Sequence, residues 1–165
     1  DICFTHDIDL NPFENTIEKF YIDHQPINDE IIGIYTSYWN TLGGVIKFKR
    51  NTFYKINGFP NDYWGWGVED KVLQNRAEFI NIKIKKNILS NDTNKNDYFK
   101  IFTDNHVRTK GVNYQKHYEI NYLYWDKLSN KQKLNLVNYS GINNLNYNLI
   151  NDYEENNVRY IKVNL

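Results

Sequence analysis

The run from Asn57 to Arg76, NGFPNDYWGWGVEDKVLQNR, constrains this chain more than any other stretch of it. Gly58 and Pro60 break regular structure, and Gly65 and Gly67 space the rings of Tyr63, Trp64 and Trp66. Glycines here let the backbone turn sharply or come close to a ligand. Apolar residues at 68, 72, 73, 79 and 80 fit one face of a helix over Val68–Ile80. Glu69 and Asp70 then fall in its first turn, where negative charge is favoured. Two readings stand at this point. One is a Trp-rich turn closed by a capping acid, which a lone Trp-Gly step favours. The other is a site where ring platforms and a carboxylate pair meet a polar, ring-shaped substrate such as a sugar, which the whole run favours.

Composition narrows the function classes. At 165 residues the chain fits one domain over 1–165, large enough for its own core. Twenty basic and twenty acidic residues cancel, so no footprint for nucleic acid or an anionic membrane is present. No apolar stretch approaches the ~20 residues of a membrane span. One cysteine, Cys3, leaves no internal disulfide to form, and its place in Ile2-Cys3-Phe4 predicts a buried thiol. The chain holds no methionine, which leads us to expect a piece of a longer protein.

Elsewhere the pattern is mixed α and β. Ile2–His6 reads as a short buried strand, Ile31–Tyr35 and Val45–Lys49 as β-rich, and Ile82 and Ile84 as an edge strand. Asn51 is expected to cap a helix through Ile56, and Ser129 with Gln132 to box a helix ending near Gly141. Asn87–Asp97 is a loop, Tyr98–Phe102 a strand, and Val158–Val163 a closing strand. Asn91 and Asn138 begin glycosylation sequons, a frequent chance pattern. Alternating elements predict a layered α/β domain.

Three places carry candidate chemistry. Asp7-Ile8-Asp9 ends the first strand, where two carboxylates can hold a divalent cation beside a diphosphate; short acidic turns are also common without one. Asp104 and His106 lie two residues apart and share a side of an extended segment. With Asp9 they make a mixed oxygen and nitrogen set suited to manganese. Glu69-Asp70 offers a carboxylate able to take a proton from a sugar hydroxyl, or merely a pair that complements a helix. His6, His24 and His117 read as surface residues.

Leu42–Arg76, LGGVIKFKRNTFYKINGFPNDYWGWGVEDKVLQNR, resembles the C-terminal catalytic region of the β-1,4-galactosyltransferase family, in which a Gly-Gly-Val step leads to INGFPNxYWGWGxEDDD. CFTHDIDLNP resembles that family's strand ending in HDVDLLP, FTDNH its Phe-x-His-x-His metal segment, and GINNLNY its closing G-L-N-x-x-x-Y strand. The order and approximate spacing of all four agree.

The resemblance implies a GT-A-type, Rossmann-like glycosyltransferase fold, here its C-terminal portion: a mixed sheet with flanking helices, most of the nucleotide-binding half lying upstream. It implies an inverting, manganese-dependent transfer of galactose or N-acetylgalactosamine from a UDP-sugar to a carbohydrate hydroxyl. Asp70 matches the general base. Asp7, Thr41, Gly44, Trp66, Gly67, Glu69 and Lys71 fall at donor- and acceptor-binding positions; Asp9 and His106 match metal ligands, and Asp104 replaces the family's other metal histidine, a carboxylate able to serve as ligand. Two further positions depart from the pattern. Lys71 stands where the family has a further aspartate at the acceptor. Thr41 replaces a tyrosine that limits the donor's C2 substituent, so UDP-GalNAc is expected to fit as well as UDP-galactose. The family works in the Golgi lumen, while one cysteine fits a reducing compartment equally. A non-catalytic carbohydrate-binding relative and a chondroitin-type GalNAc or glucuronosyl transferase are the alternatives.

Overall fold

The computed structural model describes residues 1–36, 41–86, 97–102 and 113–164. Its main sheet has four strands, β1 (Ile2–His6), β3 (Glu30–Tyr35), β4 (Val45–Lys49) and β5 (Lys83–Lys85), in the order β1-β4-β3-β5. β4 pairs antiparallel with both β1 and β3, whereas β3 and β5 run parallel, so the sheet is mixed as expected. Two further pairs stand apart: β2 (Leu10–Pro12) with β6 (Phe99–Ile101), and the hairpin β7 (Asn148–Glu155) with β8 (Val158–Asn164).

Alternation along the central strands builds two cores. Ile31, Ile46 and Phe48 meet Ile56, Leu73 and Ala77, where α2 (Arg50–Lys55) and α3 (Glu69–Phe79) cover one side of the sheet. Ile32, Ile34 and Val45 meet Leu10, Phe20 and Phe99 on the other. There α1 (Glu14–Thr16) continues as a π-helix over Ile17–Ile22. Buried Lys47 ties that helix to β4, its ammonium donating to the carbonyls of Phe20 (3.1 Å) and Tyr21 (2.6 Å). A third cluster joins Val68 and Val72 to Trp125 of α4 (Tyr114–Asp126).

Several expectations need correction. β1 is an edge strand with Ile2 and Phe4 exposed, and Cys3 is only partly buried. α2 starts at Arg50 with Lys49 at the cap position and no side-chain cap, so Asn51 lies inside the helix. The Ser129–Gln132 capping box is present, at the start of α5 (Asn130–Tyr139). The loop expected over Asn87–Asp97, including the Asn91 sequon, lies outside the described residues save Asp97. In the Asn138 sequon Ser140 is buried, its hydroxyl accepting from the Asn61 N–H.

One buried polar knot fixes the run that dominates the sequence. Asn57 and Gly58 both take positive φ at the end of α2. The Asn57 amide donates to the Val137 carbonyl (2.8 Å) and its Oδ1 accepts from the Asn143 N–H (2.8 Å). Arg76 of α3, 1% exposed, donates to the carbonyls of Asn57, Gly58 and Leu136. Burial pulls its guanidinium down to about 10, still charged at neutrality. Arg76→Ala leaves the buried Gly58 carbonyl without its donor, takes one of two donors from the Asn57 and Leu136 carbonyls, and is expected to lower unfolding free energy by about 3 kcal/mol in urea titration.

Candidate functional site

The end of the sheet brings the first acidic step to the Gly-Gly pair. β1 and β4 pair up to His6 and Val45, and just beyond them the Asp7 N–H donates to the Gly44 carbonyl at 2.9 Å. Gly44 has φ +89, and a Cβ there would strike the Tyr35 carbonyl at 2.5 Å, so only glycine lets the chain enter β4 at this place. Thr41 and Gly44 are half-buried; Leu42 and Gly43 between them are buried. Asp9 is half-buried, and its carbonyl accepts from the Phe102 N–H at 2.8 Å, which closes the β2–β6 ribbon beside it.

Asp70 comes to the same place from α3. A Cβ on Gly43 would collide with the Asp70 Oδ2, so the carboxyl lies directly over that glycine. Burial, then the charges of Glu69 and Asp7, push its pKa up to about 7. Asp7 and Asp70 thus face one another closely enough to repel, and Asp70 carries a proton affinity matched to neutral pH. Glu69 beside it is half-buried. α3 starts from a strained position: Val68 has φ 82, an outlier for a β-branched residue, and is held by burial against Val72 and Trp125.

The Trp-Gly-Trp-Gly loop is carried by α4, an element the sequence reading left unassigned. Asn121 of α4 donates to three loop carbonyls, those of Trp64 (3.2 Å), Trp66 (3.4 Å) and Gly67 (3.0 Å). Gly65 packs against the His117 ring, leaving no room for a Cβ, and Gly67 lies where a Cβ would meet the Tyr118 ring at 2.8 Å. His117 is exposed, as expected of a surface histidine, yet it seats this loop. Trp66, 43% exposed, meets Tyr114 and Tyr118 at centroid distances of 5.6 and 5.8 Å. Lys71 turns the other way from Asp70, its ammonium 5.3 Å from the Tyr122 ring centroid.

Asp7, Gly44 and Asp70 therefore meet at one end of the sheet, with Glu69 beside Asp70; Asp9 stands two residues on beside the β2–β6 ribbon, and Trp66, Gly67 and Lys71 line the α4 side. Asp104 and His106 lie outside the described residues. Among the described residues no three His, Cys, Asp or Glu side chains stand together as a metal site. Sequence reading missed Asn121, Tyr118, Tyr122 and Tyr35. The repeat Tyr114-Tyr118-Tyr122, every fourth residue, is the signal that exposes α4.

Comparison with known proteins adds the lineage. A family model described as the N-terminal domain of galactosyltransferase matches residues 27–103. The β-1,4-galactosyltransferase 4 of Cricetulus griseus is 39% identical over 114 residues, covering 66% of this chain and 31% of that protein. The Homo sapiens protein of the same name is 38% identical over 89 residues, 51% of this chain and 26% of its own length. The chain thus spans under a third of these relatives. A mutant of Drosophila β-1,4-galactosyltransferase 7, solved with manganese, UDP-Gal and xylobiose, shares the fold at TM-score 0.66 and 19% identity, over 99% of this chain and 66% of that one. Its catalytic domain with xylobiose matches at TM-score 0.63 and 20% identity.

The Asp70 environment has a stability consequence. Its proton affinity is higher folded than unfolded, so the charged form penalises the fold above about pH 7, and the penalty fades as pH falls from there toward the ordinary carboxylate value. Moving from 3.8 to about 7 corresponds to roughly 4 kcal/mol at most. Asp70→Asn is expected to raise the urea midpoint at pH 8 and to change it little at pH 4.

Proposed function

We propose an activity from one premise: over residues 27–103 this chain belongs to the β-1,4-galactosyltransferase family. The protein it comes from transfers galactose, or N-acetylgalactosamine, from a UDP-sugar to a hydroxyl of a carbohydrate acceptor, with inversion at the anomeric carbon. The observation that carries this reading is Asp70, a carboxylate pushed up to about 7 and set over Gly43 against Asp7. The solved relative that binds manganese, UDP-Gal and xylobiose supports the substrate classes.

In this reading the acceptor hydroxyl gives its proton to Asp70 as its oxygen bonds to the anomeric carbon, and the bond from that carbon to UDP breaks on the opposite face. A base with a pKa near the working pH is the efficient choice for such a transfer. Glu69 hydrogen-bonds the donor sugar, Asp7 lies near the donor nucleotide, and Trp66 and Gly67 close over both substrates from a loop that Asn121 braces. Thr41, small and half-buried, leaves room for an N-acetyl group at C2. Position within the whole catalytic domain, toward its C-terminal side, belongs to the same proposal.

Manganese is part of the proposal. Asp9, Asp104 and His106 would hold it, since carboxylates with an imidazole suit that ion. Of the three, Asp9 has a described place, beside the β2–β6 ribbon, where its carbonyl accepts from the Phe102 N–H. When bound, the ion neutralises charge on the departing diphosphate.

The test is UDP-sugar turnover by the full-length protein. Asp70→Asn is expected to cut kcat by about 10²–10⁴-fold with donor affinity nearly unchanged. Chelation should abolish turnover and manganese restore it. UDP-galactose and UDP-GalNAc should both serve as donors, and strict preference for galactose sinks the assignment of Thr41. Sugar binding without turnover from any donor makes the chain a carbohydrate-binding relative instead.

A further inference from the structure

We propose that Lys71 and Tyr122 form an acceptor subsite for a sugar bearing an exocyclic anion, a carboxylate or a sulfate. The inference rests on the transferase reading above and names the acceptor class of that site.

Lys71 occupies the first turn of α3, where the helix field favours acids and opposes a cation. Glu69 and Asp70 obey that preference and Lys71 violates it. The residue is exposed, and among the described residues it makes no salt bridge that would offset the placement. Its ammonium instead stands 5.3 Å from the Tyr122 centroid, held over a ring with its N–H donors open to solvent. An exposed cation–π contact stabilises weakly, so folding alone does not account for a lysine here.

The surroundings say what it meets. Tyr122 stacks on Tyr118 at 5.9 Å and 18°, and Tyr118 leads to Trp66 at 5.8 Å. These rings are between 37% and 43% exposed, a run of apolar faces of the kind that pyranose C–H surfaces cover. Lys71, at the Tyr122 end of this run, directly follows Asp70 in the first turn of α3. An acceptor whose hydroxyl reaches Asp70 would extend its next unit along these rings, bringing an anion on that unit to Lys71. A neutral sugar needs only the rings; the ammonium adds a charge-assisted bond that only an anion accepts.

The full-length protein is assayed with three acceptors on one disaccharide skeleton: neutral, uronate-bearing and sulfated. The readout is the ratio of kcat/KM for each anionic acceptor over the neutral one. That ratio should reach about tenfold for at least one anion, which identifies its source. It should fall toward unity in Lys71→Gln, persist in Lys71→Arg, and shrink at high salt. Tyr122→Ala should weaken all three acceptors. Equal use of the three by the unaltered protein overturns the proposal, as does a preference surviving Lys71→Gln. If no acceptor turns over, the transferase reading fails first, and binding of the same three glycans, measured by saturation-transfer NMR, decides this one: anion preference lost in Lys71→Gln upholds it, and equal binding overturns it.

Discussion

The buried knot of Asn57, Arg76 and Gly141 is the interaction on which the rest of the site depends. Three segments distant in sequence meet there: the end of α2, the last turn of α3 and the turn after α5. Gly141, at φ +146, sits so close to the Asn57 carbonyl that a Cβ would collide with it. The Asn57 carbonyl accepts from both Arg76 and the Ile142 N–H. Removing Arg76 leaves the buried Gly58 carbonyl unsatisfied, which costs more than the bond itself contributes. Because Arg76 lies on the helix that begins with Glu69 and Asp70, the knot sets the height of that helix over Gly43. The long loop from Gly58 to Val68 is therefore pinned at both ends by one side chain's hydrogen bonds and that side chain's own helix.

Asp70 shows the opposite economy. Folding places it half-buried, facing Asp7 and adjoining Glu69, an arrangement that opposes its ionisation and so weakens the fold near neutral pH. The strained left-handed backbone at Val68 adds to that cost, roughly 1–3 kcal/mol. Such local debts gather where a chain needs a proton acceptor or a fixed approach angle, and the rigid frame of buried strands β3 and β4 carries them.

Much of this was legible because its causes are local. β3 is a nearly continuous apolar run, the mark of a strand buried on both faces, and β4, apolar apart from Lys47 and Lys49, is buried beside it; both sit where the sequence puts them. The Ser129–Gln132 box is a four-residue signal with its mechanism built in. The Asp7 and Asp70 pairing was reachable only through resemblance, since sequence spacing does not say that a strand end and a helix start meet over one glycine. α4 was missed because its tyrosines are amphipathic and hide the helical period from a purely apolar count. The buried role of Arg76 was likewise invisible: a charged residue on a helix reads as solvent-facing until its three carbonyl partners are known. In β7 the mixed face Asn148–Glu155 shows little alternation, and its pairing with β8 is held by Tyr153 on Tyr160 and by Asp152 to Arg159, contacts across a turn at Asn156-Asn157.

A single helical turn thus serves two surfaces. Neighbouring residues on a helix diverge by about 100°, so Asp70 and Lys71 cannot face the same way. Asp70 looks to the sheet edge with Asp7 and Gly43, and Lys71 to the rings of α4. If proton removal occurs at one and acceptor selection at the other, the two properties are coupled only through the helix backbone. Changing the residue at 71 then alters which sugar is held without rebuilding the base. That separation explains how a chain can keep the Trp-Gly-Trp-Gly-x-Glu-Asp signature intact while departing from the family at the position immediately after it.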